Sequence, residues 1–221
     1  MELAIDTSTE TASLALSLKG KVQAELTWHA GRNHTKELLP NLIHLLHQAS
    51  LQDIEGIIVA RGPGSFNGLR VGMATAKGLG LALSIPLVSI STLEMEAFQH
   101  AATGQPICPI FNAGRGEIAT ALFQTKQGKW QRLIEEHITT IEELCAKLTA
   151  RTIFCGQISP EIASQLKEWL GEQVVIVEGA SSLRRAGYLA ELGWRRLEKG
   201  DHDDPATLQP LYLRRPAITL K

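Results

Sequence analysis

Residues 59–83 read VARGPGSFNGLRVGMATAKGLGLAL, with glycines at positions 62, 64, 68, 72, 78 and 80. The segment begins as a short, continuously apolar strand, GIIVARG (56–62), of the type covered on both faces. A glycine loop follows, and then a helix to about Leu83. Each glycine inside a helix costs about 0.5–1 kcal/mol relative to alanine, so a helix that keeps this many needs close packing to offset the loss. Such a junction either holds a phosphate or lets two backbones approach closely. GPGSFNGLR has neither the spacing nor the lysine of a GxxxxGK[ST] loop. A GxGxxG fingerprint also fails, because Asn67 stands at the third position and Gly68 comes one residue late. Free N–H groups at the helix start could still meet an anion. The spacing of small residues favours close approach: Gly68, Gly72, Ala76 and Gly80 recur every four residues, and Ala74, Gly78 and Ala82 form a second row. Two rows on different faces imply that a second surface, a partner helix, is approached as well as the chain's own sheet.

A chain of 221 residues can bury roughly 70% of its unfolded surface and needs no disulfide or metal to fold. A hydrophobic share of 44% and a charged share of 20% are those of an ordinary globular protein. The net charge of −1 advertises no broad nucleic-acid surface. Cys108, Cys145 and Cys155 form no CxxC pair, and their odd number argues for buried structural thiols in a reducing compartment. The opening MELAIDTST carries Glu2 and Asp6 and lacks a basic region, so no signal peptide is expected there. The longest weakly charged run, 78–93, is interrupted by Pro86 and is too short to span a bilayer. A cytoplasmic protein with no membrane partner is expected.

Alternating patterns predict a strand at ELAIDTS and a hairpin of 12–20 and 21–28 turning at Gly20-Lys21. A helix is predicted over 34–49, with Leu38, Leu42, Leu45, Leu46 and Ala49 on one face; Pro40 should delay its start or kink it. The strand at 56–62, the glycine helix, a strand PLVSIS and a helix TLEMEAFQHAA complete the first half. Strand, hairpin, then alternating helices and strands is the order of one half of an actin-like α/β fold with mixed sheets flanked by helices. TGQP (103–106) reads as a linker. The second half predicts strands near 107–112, 116–124 and 130–137, a helix 140–149, a strand TIFCG, a helix 160–170, a strand VVIVEG and a long helix 181–199. It repeats the order of the first without repeating its sequence. The expected domains are therefore 1–103 and 104–200, followed by an extended tail, 201–221, whose X-Pro steps suit a strap packed back on the body.

Asp6 ends the first strand, where actin-like ATPases keep an aspartate followed by a phosphate hairpin containing glycine. Here the hairpin is Thr7-Ser8-Thr9, with no glycine to admit a phosphate closely. An ATPase or small-molecule kinase using Asp6 and the Gly62–Gly68 loop is the rival reading, with an Asp–Thr turn as the plainer one. His34, His44 and His47 match neither HExxH nor HxxxH, so no metal is expected and a metallopeptidase lacks its ligands. No serine sits in a GxSxG elbow, so no catalytic residue is assigned. The clusters LRRAG and YLRRP read as solvated charge.

DTST, NHTKELLP, GPGSFNGLRVG and LYLRRP together resemble the TsaB (YeaZ) family, accessory subunits for threonylcarbamoyladenosine (t6A) modification of tRNA. The resemblance runs end to end, is strongest over 1–100, and has Asn67 where the family usually has threonine. It implies a two-domain actin-like (ASKHA) fold related to the catalytic subunit TsaD. It also implies pairing through N-terminal-domain helices with TsaD or, in isolation, with a second copy, a third subunit, TsaE, joining. The complex moves threonylcarbamoyl from its adenylate to N6 of adenosine 37 in tRNAs reading codons that start with A. By that resemblance this chain binds no cofactor alone, ATP is used by the assembled complex, and tRNA is met only through the complex. Where the catalytic relative has a metal-binding histidine pair, this sequence keeps His34 but has Leu38 four residues later. In the second half, Asn112-Ala113-Gly114 replaces an Asp-Ala-Arg strand end and Gly156-Gln157-Ile158 a Gly-Asp-Gly turn, which argues against a nucleotide contact there. The expected partner interface comprises His34, Leu38, Leu39, Leu42 and Leu46 on the first helix, with Gly68, Gly72, Met73, Ala76 and Gly80 on the second.

Overall fold

Every residue of β1 (Glu2–Asp6) is buried, so both faces of this strand need cover. In the computed structural model, which describes residues 1–47 and 49–214, β1 lies at the centre of a five-stranded sheet. It pairs antiparallel with β2 (Thr11–Leu18), which pairs antiparallel with β3 (Lys21–His29). On its other side it runs parallel to β4 (Gly56–Gly62), which runs parallel to β5 (Leu87–Ser91). The hairpin turns at Lys19-Gly20, both with positive φ (53° and 73°), as a tight two-residue hairpin requires. The buried Glu2 carboxylate accepts the N–H groups of Lys19 at 3.0 Å and Gly20 at 3.2 Å, and the hydroxyl of Ser17.

Register sorts the two faces. Leu3, Ile5, Leu14, Leu16, Ile57 and Val59 point to one side, where α1 (His34–Leu46) and α2 (Phe66–Leu83) pack. The opposite face is small: Ala4 lies across from Ala15, and Asp6 from Ser13. That face takes α6 (Ala186–Leu197), which crosses all five strands. A Cβ on Gly193 would overlap the side chain of Ile58, and one on Gly187 would come within 2.8 Å of Val22.

The predicted helix over 34–49 is His34–Leu46, begun at His34 despite Pro40. Pro40 and Lys36 are both exposed, so water can satisfy the carbonyl that the proline leaves without a donor.

The second unit repeats the sheet. Its strands β6 (Ile107–Gly114), β7 (Glu117–Lys126), β8 (Lys129–Thr139), β9 (Thr152–Gly156) and β10 (Val174–Ile176) take the order β8-β7-β6-β9-β10. The first three are antiparallel and the last two pairings parallel, as in the first sheet. α4 (Ile141–Cys145) and α5 (Pro160–Leu170) supply its crossovers and share a core with Cys108, Ile110, Phe154 and Leu166.

The division of the chain differs from the expected 1–103 and 104–200. The first unit is 1–95 with 184–211, and the second is 96–183 with, among the described residues, 212–214. The change therefore falls at Met95, within α3 (Thr92–Phe98) and before TGQP. The last helix belongs to the first sheet, because the alanine- and glycine-lined face there admits it. Residues 201–211 do pack back, on the first unit: Ser89 N donates to Asp203 at 2.6 Å and Leu211 N to the Arg61 carbonyl at 2.7 Å. The last seven positions of the expected tail lie outside the described residues.

All three cysteines are free and buried. Burial pushes the Cys108 thiol up to about 12 and raises Cys155 in the same direction. A thiol with pKa near 12 is thiolate in on the order of one molecule in ten thousand at pH 8. A chromogenic disulfide reagent is therefore expected to label the native protein at the rate of unfolding, and all three cysteines at once in denaturant. Fast stoichiometric labelling of native Cys108 would contradict this packing.

Candidate functional site

The end of β1 is a turn made wholly of polar side chains: Asp6, Thr7, Ser8 and Thr9 are all buried. Both carboxylate oxygens of Asp6 are engaged within its own unit. Its Oδ1 accepts the Ser8 N–H at 2.9 Å and the Ser8 hydroxyl at 2.6 Å, and its Oδ2 accepts Arg184 Nε–H at 2.6 Å. Arg184 is itself buried and also donates to Thr9 Oγ1 at 2.6 Å. Thus one arginine of LRRAG is a buried counter-ion, not solvated charge. The other, Arg185, is half-exposed and forks onto Glu25 at 2.5 and 2.8 Å, which raises its pKa.

The glycine segment presses on this turn from the other side of the sheet. A Cβ on Gly64 would overlap the Ser8 carbonyl, one on Gly68 the Thr7 carbonyl, and one on Gly72 the Thr7 hydroxyl. In return Thr7 Oγ1 donates to the Gly68 carbonyl at 2.7 Å and Ser65 N to the Ser8 carbonyl at 2.7 Å. The glycines therefore serve close approach, between α2 and the Thr7-Ser8 turn. His34 completes the cluster: it is 4% exposed and its Nε2 donates to the Thr9 carbonyl at 2.7 Å.

These residues do not fit a magnesium–nucleotide pair. A metal at Asp6 would have to displace the Arg184 guanidinium, and a phosphate the carbonyls already seated against Gly64 and Gly68. Among the described residues no three His, Cys, Asp or Glu side chains group as a metal site, and no helix is long and apolar enough to cross a membrane. In the second unit Asn112 N donates to Gln157 Oε1 at 3.1 Å and Gln157 N to the Ile110 carbonyl at 2.7 Å, so the two departures from the family pattern bond to each other.

Most of the expected interface faces inward. His34, Leu38 and Leu42 on α1, and Gly68, Gly72, Met73, Ala76 and Gly80 on α2, are buried within the first unit. The reason is that the apolar face of α1 and the Gly72/Ala76/Gly80 row are what fit these helices to their own sheet. Leu39 is 54% exposed and Leu46 half-buried. The outward row is the second one, Ala74, Gly78 and Ala82, continuous with Phe66 and Arg70, whose guanidinium lies 3.9 Å above the Phe66 ring. Ile43 on α1 (60% exposed) and Leu81 on α2 (69%) are exposed apolar side chains outside the expected set. Their signal was an apolar residue one step off the buried stripe.

Two sheets of one order, each a three-strand meander extended by two parallel strands, define an actin-like (ASKHA) protein. The comparisons narrow that class. Residues 28–221 match the family model "TsaD: tRNA N6-adenosine threonylcarbamoyltransferase". The chain is 32% identical to the tRNA threonylcarbamoyladenosine biosynthesis protein TsaB of Bacillus subtilis, over 96% of this chain and 93% of that protein. Against TsaB of Escherichia coli it is 29% identical over 96% and 94%. The solved structure of YeaZ from Pseudomonas aeruginosa superposes with a TM-score of 0.82 at 26% identity, covering 96% of this chain and 99% of that one. The chain belongs to the TsaB (YeaZ) family, within the wider relationship to TsaD.

Two expected outcomes test the site. Gly68→Ala should lower stability by roughly 2–3 kcal/mol, because its Cβ meets a fixed carbonyl, while Gly78→Ala, which meets nothing within 4 Å, should raise it by about 0.5–1 kcal/mol; urea denaturation reads both. Arg184→Met, which strands a buried carboxylate, should cost about 3–5 kcal/mol, and adding Asp6→Asn should restore part of that loss. A loss in the double variant equal to the sum of the losses in Arg184→Met and Asp6→Asn alone would mean that the two groups are not coupled.

Proposed function

We propose that this protein is a non-catalytic subunit of the machinery that transfers a threonylcarbamoyl group to N6 of adenosine 37 in tRNA, pairing with TsaD, with TsaE joining. The observation that carries the reading is the Asp6 turn: the carboxylate at the end of β1 is bound by Arg184 and Ser8 of the same unit. A chain of this family with that acid committed supports its partner's chemistry. It performs none of its own, and ATP and tRNA are engaged by the assembled complex in the cytoplasm. The rival ATPase or kinase reading needs Asp6 free.

The pairing surface follows from exposure. Leu39 and Ile43 stand one turn apart on the outer side of α1. On α2, Phe66 with Arg70 stacked over it, Leu81 and the Ala74/Gly78/Ala82 row give an exposed strip of small and apolar residues that a partner helix can approach closely. The same strip would let two copies of this chain associate when TsaD is absent.

Ile43→Glu combined with Leu81→Glu places charge on the strip without touching the core. Light scattering behind size exclusion should show the wild type as a dimer, or as a heterodimer when mixed with TsaD, and the variant as a monomer in both mixtures with an unchanged melting temperature. Undiminished pairing by the variant would refute this surface. Magnesium-dependent ATP hydrolysis by the isolated chain would refute the non-catalytic reading.

A further inference from the structure

On the face of the first sheet opposite α1 and α2, the β2–β3 hairpin tip and α6 enclose a cleft of about 590 Å³, lined by Lys19, Lys21, Tyr188, Glu191, Trp194 and Arg195 among others. That volume lies in the range of small-molecule sites, roughly 300–1,000 Å³. The cleft is built, not incidental. Glu2, buried beneath it, fixes the Lys19-Gly20 turn through two backbone N–H groups. Gly20 in turn seats the Trp194 ring, whose nearest atoms would stand 3.1 Å from a Cβ at that position.

Its chemistry departs from that of the whole chain. The protein carries a net charge of −1, yet Lys19, Lys21, Arg185 and Arg195 line this one cleft against the single lining carboxylate of Glu191. Arg185 is bound to Glu25, and Arg195 donates to Glu191 at 2.6 Å. The ammonium groups of Lys19 and Lys21 have no hydrogen-bond or ion-pair partner among the described residues. Two uncommitted cations at the lip and two aromatic side chains, Tyr188 and Trp194, inside suit a ligand that is anionic at one end and planar at the other.

We infer that this cleft binds a nucleotide, its base against Tyr188 and Trp194 and its phosphate on Lys19 and Lys21. A free nucleotide and a nucleotide unit of single-stranded RNA present the same chemistry. The site is separate from the Asp6 turn and from the α1–α2 surface, so it stands whether or not the pairing reading does.

Intrinsic tryptophan fluorescence of the full-length protein tests it. AMP and a single-stranded octauridylate are titrated separately, without magnesium. Stacking should quench the signal from Trp194, and the quench should vanish in Trp194→Leu. Lys19→Glu with Lys21→Glu, both exposed and outside the core, should weaken binding by about tenfold or more. For RNA it should also flatten the dependence of log K on log salt by about 1.4, the share of two phosphate contacts on a single strand. Saturation by AMP assigns a free nucleotide, and saturation by octauridylate alone assigns RNA. Either supports the inference. Silence toward both probes, or binding indifferent to the lysine reversal, overturns it. Binding of an oligoglutamate peptide as tightly as either probe would make the cleft an acidic-peptide site and overturn it equally.

Discussion

The guanidinium of Arg184 meets the carboxylate of Asp6 across 178 positions of sequence, with both side chains out of water. Removing two charges from solvent costs several kcal/mol per ion, so such a pair adds little net stability over an apolar contact of the same volume. What it adds is position. It fixes the chain where it re-enters the first unit, and two residues later Ala186 N donates to Ser13 Oγ at 3.0 Å and α6 begins. From that anchor α6 crosses the small face of the first sheet. The rest of the first unit follows: Arg196, at the far end of α6, reaches Asp201, Asp203 and the Ser89 carbonyl and so draws 201–211 over the edge strand β5.

The opposite face is organised by the same turn. Thr7 and Ser8 offer carbonyls where an α-helix would ordinarily carry side chains, and the glycines of α2 remove the Cβ atoms that would meet them. The conformational cost of those glycines is offset by the hydrogen bonds and close contact that their absence of side chain permits. Gly78 takes no part in this, since nothing lies within 4 Å of it, and it belongs to the outward row. Within one helix, then, one set of glycines answers to the chain's own backbone, and the other to nothing inside the unit.

Much of this was legible in the sequence, and what was not has a common cause. Period-2 and period-3.6 patterns gave the hairpin, the central strand and the inward stripe Leu38–Leu42–Leu45, because burial on one face leaves a local signature. The glycine spacing gave the need for close approach but not its direction, since two small rows on one helix look alike until a sheet is laid against one of them. His34 read as partner-facing because its acceptor is a backbone carbonyl, which no residue type reveals. Arg184 read as solvated because its partner is at the other end of the chain. The destination of α6 was lost for the same reason: amphipathicity shows that a helix has a buried face, not which of two sheets will cover it.

The two sheets share an order without sharing a sequence, and their strand ends show what the order demands. At the end of β1 the turn is approached by Gly64 and Gly68; beside the central strand of the second unit, Gly156, with φ of 94°, would place a Cβ 2.6 Å from the Ile110 carbonyl. In each unit a glycine thus lies against a carbonyl of the central strand or of the turn that ends it. The acid is not common to both units. It is present in the first unit and held by an arginine; in the second, Asn112 stands at the strand end and bonds to Gln157 and to Gly114. The frame of an actin-like protein is therefore set by backbone proximity, and its chemistry by which side chains are left unpaired inside it. In this chain Asp6 is held by Arg184 and Ser8, and Asn112 by Gln157 and Gly114, each within its own unit; the uncommitted charge stands at the β2–β3 hairpin and the exposed apolar side chains on α1 and α2.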